Sequence, residues 1–343
     1  MEFKIGKRSV GPSHNPLVIA EIGINHGGDL NVAKVMVDAA ARCGVEVVKF
    51  QTHIVEDEMT AEAKLTIPGN TSKNIYDIMK DCSLSESEEH EIKTYVEGKG
   101  MIYMSSAFSR AAAIRLNKMD VKAIKIGSGE CNNYPLLELV ASFKRPTILS
   151  TGMNDIESIR RSVNIFSKYN TPLALLHTTN LYPTFPEEVR IGAMLEMHKS
   201  FPKLNYGLSD HTLDNLACIA AVANGASILE RHFTDTKYRQ GPDIICSMDE
   251  IECKNLIHST QLVHKMLGGT KQPLPREKVT SDFAFSSVCS IKEIVKGELF
   301  TPENIWVKRP GTGDYLANSY DDILGKISKR RIEADVQLKQ GDL

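Results

Sequence analysis

LNYGLSDHT (204–212) and ASILERHFTD (226–235) each carry a run of apolar residues into a histidine, His211 and His232, at the point where the run stops. Short apolar runs that end abruptly in polar residues are the pattern of strands buried on both faces in a parallel sheet. Two imidazoles delivered at neighbouring strand ends can meet on one cation and leave most of its coordination sphere to water and a substrate oxygen. Taken singly, each histidine is more simply a hydrogen-bonded strand cap. The rest of the chain raises the metal reading.

The same kind of run recurs upstream. Candidate strands are LVIAEIG (17–23), EVVKFQT (46–52), MIYMSSA (101–107), AIKIGS (123–128), PTILST (146–151) and LALLHTT (173–179), which with the two above make eight. Between them lie segments such as LNVAKVMVDAAARCG (30–44) and NDIESIRRSVNIFSKY (154–169), with apolar residues returning every three or four positions. Eight strand–helix units in about 250 residues predict an α/β fold, a closed (β/α)8 TIM barrel over residues 1–267. An open doubly wound sheet is the alternative, but no GxGxxG follows the first strand.

A TIM barrel gathers its active site at the C-terminal strand ends. The polar residues fall there: Glu21 and Asn25; Lys49, Gln51 and His53; Ser105 and Ser106; Lys125, Ser128 and Glu130; Ser150 and Thr151; His177, Thr178, Asn180 and Tyr182; Ser209, Asp210 and His211; Arg231 and His232. Lysines within apolar strands, as in VVKFQT and AIKIGS, are costly to bury without an anionic partner. Lys49 and Lys125 therefore read as an anion site, or else as structural lysines tied to Glu21 and Glu130. Ser128, Ser150 and Ser209 would complete a phosphate cradle.

A net charge of −2, with basic residues scattered, gives no footing for nucleic acid or an anionic membrane, so an anionic substrate must be held by a few placed cations. No apolar run reaches a membrane span and the N-terminus lacks the succession of a signal peptide, which predicts a cytoplasmic protein. Seven cysteines, none in a CxxC pair, read as reduced thiols. Cys131, inside GSGECNN, reads as a small buried side chain rather than a nucleophile, since no histidine stands near it in sequence.

Residues 53–85, containing IPGNTSKN, show no convincing periodicity and read as a lid or substrate-specific loop, with a plain surface insertion nearly as good a reading. At 268–281 the composition shifts to Gly, Pro, Lys and Thr, predicting a linker; residues 282–343 then predict a small turn-rich domain with its own core, in which Trp306 is a core residue. Arg309, in VKRPG, sits in a turn from which a guanidinium can project.

EIGINHGG, KFQTH, KIGSGECNNYPL, STGMN, TTNLYPT, GLSDHT, ERHFTD and GPD, followed by FAFSSV and VKRPG, resemble the sialic acid synthase family, nearest in pattern to its bacterial N-acetylneuraminate synthases. The resemblance spans nearly the whole chain in order. It implies a (β/α)8 barrel joined to a C-terminal antifreeze-protein-like (SAF) domain in a domain-swapped homodimer. It also implies condensation of phosphoenolpyruvate with N-acetylmannosamine and water to N-acetylneuraminate and phosphate, with a divalent metal: manganese first, magnesium or cobalt otherwise.

Carried over by motif, His211 and His232 would hold the metal, and Lys49, Lys125, Ser128, Ser150, Asn180 and Ser209 would hold phosphoenolpyruvate. Gln51, Glu130, Tyr182, Asp243, Phe283 and Arg309 would line the sugar pocket. Glu21 and Glu130 are the carboxylates available for proton transfer, in either assignment. Two positions depart from the common pattern: Phe50, where some relatives carry histidine, and Ser106–Ala107, which replace a threonine–proline pair. A legionaminate or pseudaminate synthase, or a sugar-phosphate sensor, are the alternatives.

Overall fold

The computed structural model describes residues 3–68 and 71–343, so the reading of IPGNTSKN lies partly outside the described residues, at Gly69 and Asn70. The chain divides into two compact units, Met1–Gly268 and Gly269–Leu343.

The first unit is the expected barrel. Strands β3 (Leu17–Gly23), β4 (Val47–Thr52), β5 (Ile102–Ala107), β6 (Ile124–Ile126), β7 (Thr147–Ser150), β8 (Leu173–Thr178), β9 (Asn205–Asp210) and β10 (Ile228–His232) pair in parallel, and β10 closes on β3. Strand alternation sorts their side chains. Leu17, Ile19, Val47, Met104, Ala123, Ile148, Ala174, Leu176 and Ile228 form an inner apolar cluster. Their neighbours Val18, Ala20, Val48, Phe50, Leu175 and Leu229 face the helices in a separate outer cluster. Continuing the inner phase by two residues toward the C-terminal ends gives Glu21, Lys49, Ser106, Lys125, Ser150, Ser209 and Glu230, with His232 two residues further along β10. The lumen is thus apolar below and polar above. Phe50, in the outer phase as the alternation requires, stacks on Tyr103 with centroids 5.6 Å apart.

The sequence reading leaves unassigned a hairpin of two three-residue strands, β1 (Phe3–Ile5) and β2 (Arg8–Val10). Its Phe3, Ile5 and Val10 join the inner cluster and stop the lower end of the barrel. Strands this short, broken by Gly6 at φ 59°, carry too little periodicity to detect.

The barrel is tight at two glycines. A Cβ on Gly207 would lie 1.8 Å from the Ile228 carbonyl oxygen, so β9 and β10 approach only because that side chain is absent. Gly23, at φ 56° beside the register shift between β3 and β4, faces Glu21 and Gln51 across a gap a Cβ would narrow to 3.2 Å. Outside, α1 (Leu30–Cys43) is capped by Asp29, which accepts from the amides of Asn31 and Val32, and stops at left-handed Gly44.

The connection after β4 is more ordered than its sequence suggests. It holds α2 (Val55–Glu58), a 3₁₀ turn at Ala61–Leu65 and α3 (Ile75–Cys82). Only Ile78 of α3 is buried, so no apolar stripe announces the helix. The helices α4 (Glu86–Gly98), α5 (Arg110–Lys118), α6 (Tyr134–Ser142), α7 (Ile156–Tyr169), α8 (Ile191–Ser200), α9 (Leu216–Ala223) and α10 (Glu250–Met266) complete the outer layer. No helix of the described residues is long and apolar enough to cross a membrane.

The second unit is built on the antiparallel pair β11 (Ser287–Ser290) and β12 (Ile305–Lys308). Val288, Ile294, Phe300, Ile305, Ile323, Ile332 and Leu338 make its core. Trp306 corrects the sequence reading: it is 52% exposed, edge-on to Tyr320, because alternation along β12 turns Ile305 inward and the indole outward.

Candidate active site

In the upper lumen Lys49 Nζ lies 2.7 Å from Glu21 Oε1 and 3.7 Å from Glu230 Oε1, and Lys125 Nζ lies 3.6 Å from the same Glu230 oxygen. The Ser209 hydroxyl donates to that oxygen at 3.3 Å. Glu230, not Glu130, is therefore the second carboxylate facing the lysines. It shares the strand phase of Ile228 and His232, a signal that marks it once the inward phase of β10 is known.

All four ionisable groups are buried, and burial decides their protonation. It pushes Glu21 up to about 7 against the pull of Lys49. Burial also pushes Lys49 down, but Glu21 and Glu230 outweigh it and hold the ammonium above its ordinary value. Lys125 drops to about 8, chiefly through burial, with Glu230 resisting. Burial raises Glu230 less than Lys125 and Lys49 lower it, so it stays ionised. Near neutral pH two ammonium groups face one full carboxylate and one partly protonated one, a surplus of positive charge suited to an anion.

Beside Lys125, hydroxyls and a bare stretch of backbone form a cradle. Lys125 Nζ donates to Ser150 Oγ at 2.7 Å and to the Ile126 carbonyl at 3.0 Å. The Gly152 amide donates to Ser128 Oγ at 3.0 Å. A Cβ on Gly152 would sit 1.8 Å from Asn180 Oδ1, so the loop after β7 must be bare there.

His211 and His232 stand with ring centroids 5.5 Å apart, flanked by Tyr182 at 4.1 Å from the first and 5.9 Å from the second. His211 Nδ1 lies 2.8 Å from the Thr179 carbonyl, which can only accept; the proton is on Nδ1 and the Nε2 lone pair is free. His232 Nδ1 is buried with no hydrogen-bond partner, 3.8 Å from Asp243 Oδ2. Burial lowers His211 to about 4 and His232 to about 3, keeping both neutral. Two neutral imidazoles with ring centroids 5.5 Å apart are donors of the kind that hold a divalent cation. No group of three His, Cys, Asp or Glu among the described residues could hold one, so water and substrate would supply the other ligands.

Above these groups opens a cavity of about 780 Å³. Gln51, His53, Glu58, Asn180, Tyr182 and Asp243 give it polar groups, and Met59, Ile75, Ile78, Met79, Phe108 and Phe185 give it apolar walls. The 53–85 segment therefore forms one side of it. Glu130, half-buried and bonded to the Asn133 amide, does not line it. Phe283, 60% exposed, and Arg309, exposed in the turn after β12, belong to the second unit.

The polar strand ends divide by phase. Arg231 points outward, 3.3 Å from Asp210, and bonds Asn215 and the Thr212 carbonyl. His177 bonds the Val189 carbonyl at 2.8 Å. Asn25 braces the Phe233 carbonyl and Ser247. These are structural. Cys131 is buried with its thiol pushed up to about 11 by burial, which suits packing rather than attack.

A stopped barrel with an anion cradle, a pair of neutral histidines and a deep cavity at the strand ends carries its polar groups where enzymes of the TIM-barrel class carry their active sites. A model of the NeuB family matches residues 36–272 and one of the SAF domain matches 286–343. An uncharacterized protein of Methanocaldococcus jannaschii is 39% identical over 97% of this chain and 95% of its own. The N,N'-diacetyllegionaminic acid synthase of Legionella pneumophila is 35% identical over 90% of this chain and 89% of its own. The crystal structure of an N-acetylneuraminic acid synthetase from Leptospira borgpetersenii superposes with a TM-score of 0.75 at 29% identity, covering 82% of this chain and 95% of that one. The chain belongs to the NeuB family and is a phosphoenolpyruvate-dependent condensing enzyme, a nonulosonate synthase.

Proposed function

We propose that the enzyme joins phosphoenolpyruvate to an unphosphorylated N-acetylmannosamine-type sugar, with N-acetylmannosamine itself giving N-acetylneuraminate and phosphate. The observation that carries this is the vertical order of the lumen: ammonium groups and hydroxyls below, the histidine pair beside them, and a cavity above whose described lining residues include Glu58, Glu188 and Asp243 but no lysine or arginine. An anion is welcome at Lys49 and Lys125, whereas a sugar phosphate would meet carboxylates.

In this reading Lys49, Lys125, Ser128, Ser150, Asn180 and Ser209 bind phosphoenolpyruvate. Gln51, Tyr182 and Asp243 orient the sugar, so that the enol carbon and the open-chain aldehyde meet in one geometry. His211 and His232 would hold a divalent metal, manganese in first place, which supplies Lewis acidity to the aldehyde oxygen. The enol carbon attacks the aldehyde carbon, water adds at the carboxyl-bearing carbon, and phosphate leaves. Glu21, which carries a proton part of the time near neutral pH, would pass one between the attacking water and the new hydroxyl. Arg309 and Phe283, from the partner subunit of a domain-swapped dimer, would cover the sugar.

A second reading is a sugar with a second acylamino group, as in legionaminate synthesis. The apolar walls at Met59, Ile75, Ile78, Met79 and Phe185 favour it. Phosphate release from phosphoenolpyruvate, measured with N-acetylmannosamine, its 2,4-diacetamido-6-deoxy analogue and N-acetylmannosamine 6-phosphate, separates the readings by kcat/KM. Preference for the phosphate overturns the neutral-sugar reading, and no release with any of them overturns both sugar readings.

A further inference from the structure

A continuous hydrogen-bonded chain runs from the cavity wall to the bottom of the site. Glu58 Oε2 lies 2.8 Å from His53 Nδ1, His53 Nε2 lies 2.9 Å from Gln51 Oε1, and Gln51 Nε2 donates to Glu21 Oε1 at 2.9 Å. Both outer members are buried, with side chains 2% and 9% exposed. The chemistry of the two ends fixes the middle. The Gln51 NH₂ donates to Glu21 Oε1, so the Gln51 oxygen faces the imidazole. The imidazole must then present N–H at Nε2, and it faces a carboxylate at Nδ1.

Two further contacts hold the pair in place. The His53 ring stacks on Phe108 with centroids 4.5 Å apart, and Asp57, next to Glu58 on α2, accepts from the Ala111 amide at 2.7 Å. Neither contact belongs to the reacting groups, yet together they aim Glu58 at His53.

We propose that His53 and Glu58 are positioning residues that lock the Gln51 amide in the orientation serving both Glu21 and the sugar. This coupling makes α2 part of the catalytic geometry. The proposal rests on the site reading of Gln51 above.

A double-mutant cycle tests it. Gln51→Leu is expected to lower kcat/KM for the sugar roughly 10- to 100-fold, the scale of one hydrogen bond to a charged group. His53→Phe, which keeps the stacking on Phe108, and the near-isosteric Glu58→Gln are each expected to lower it comparably, with phosphoenolpyruvate affinity and Tm unchanged. The His53→Phe/Gln51→Leu double variant is expected to be no worse than Gln51→Leu alone. Folded His53→Phe and Glu58→Gln variants with native kcat/KM, beside an impaired Gln51→Leu, overturn the positioning role and leave the site reading intact; so does strict additivity in the double variant. A fully active Gln51→Leu overturns the site reading and the positioning role together.

Discussion

Lys125 offers the sharpest test of the anion site, because its charge is unsettled until a ligand arrives. Buried, it sits at about 8 rather than 10.5, so at pH 8 half the empty enzyme lacks that ammonium. A phosphate monoester loses its second proton near pH 6 and is a full dianion there. Binding beside Lys125 favours the ammonium and raises its pKa, so complex formation must take up protons: about 0.1 at pH 7, about 0.5 at pH 8 and about 0.9 at pH 9. Affinity should fall in step as pH rises, by about twofold at pH 8 and tenfold at pH 9 relative to the acid limit. Lys49, held above its ordinary value by Glu21 and Glu230, stays charged throughout and contributes nothing. Glu21, near 7, adds a separate uptake centred one unit lower. Calorimetry of phosphoenolpyruvate binding in buffers of different ionisation enthalpy reads the proton count directly. Lys125→Met should abolish the uptake near pH 8, leave that near pH 7, and weaken binding roughly 10- to 150-fold, the equivalent of about 1.5–3 kcal/mol. A folded Lys125→Met variant with unchanged affinity, or the same proton uptake with and without the amine, refutes the assignment.

The remaining expectations concern the other parts of the site. Dialysis against EDTA should abolish turnover without unfolding and manganese should restore it, while His211→Ala should stay inactive at any metal concentration; full turnover after exhaustive chelation sinks the metal role. Gly152→Ala forces a Cβ onto Asn180 Oδ1, so phosphoenolpyruvate affinity should drop about tenfold or more with Tm little changed; native affinity in that variant removes Asn180 from the cradle. Ending the chain before residue 282 should leave a barrel that folds and binds metal but turns over poorly, and Arg309→Ala should impair the sugar and spare phosphoenolpyruvate. Mixing impaired Lys125→Met with impaired Arg309→Ala subunits should raise activity above that of either alone, because one site in each mixed dimer of the swapped arrangement regains both residues. No recovery after verified subunit exchange counts against the swapped arrangement.

Strand content and order were legible because each barrel strand is an unbroken apolar run ending in polar residues, and Lys49 and Lys125 declared themselves as charges inside such runs. What alternation alone could not tell was which of the many polar strand ends face inward. Arg231 and Asp210 resemble site residues in sequence but pair outside the barrel, while Glu230, one residue away, faces both lysines. A one-residue difference in a strand is a change of face, so the register of β10 had to be seen. The 53–85 wall was obscured for another reason: α2 is a single turn and α3 buries one residue, leaving almost no periodicity to read.

The hairpin that stops the lower end of the barrel gives the reaction a queue. With Phe3, Ile5 and Val10 packed into the inner cluster, the described residues close the lower end of the lumen, and whatever seats at Lys125 would lie beneath whatever fills the cavity. Such a well empties in the reverse of the order in which it fills. With phosphoenolpyruvate seated at Lys125 as proposed, it would enter before the sugar, and the phosphate left at the bottom would be confined until the nine-carbon product departs. Inorganic phosphate should then compete with phosphoenolpyruvate alone, and an unreactive sugar analogue should slow phosphoenolpyruvate's escape rather than its entry to the empty enzyme.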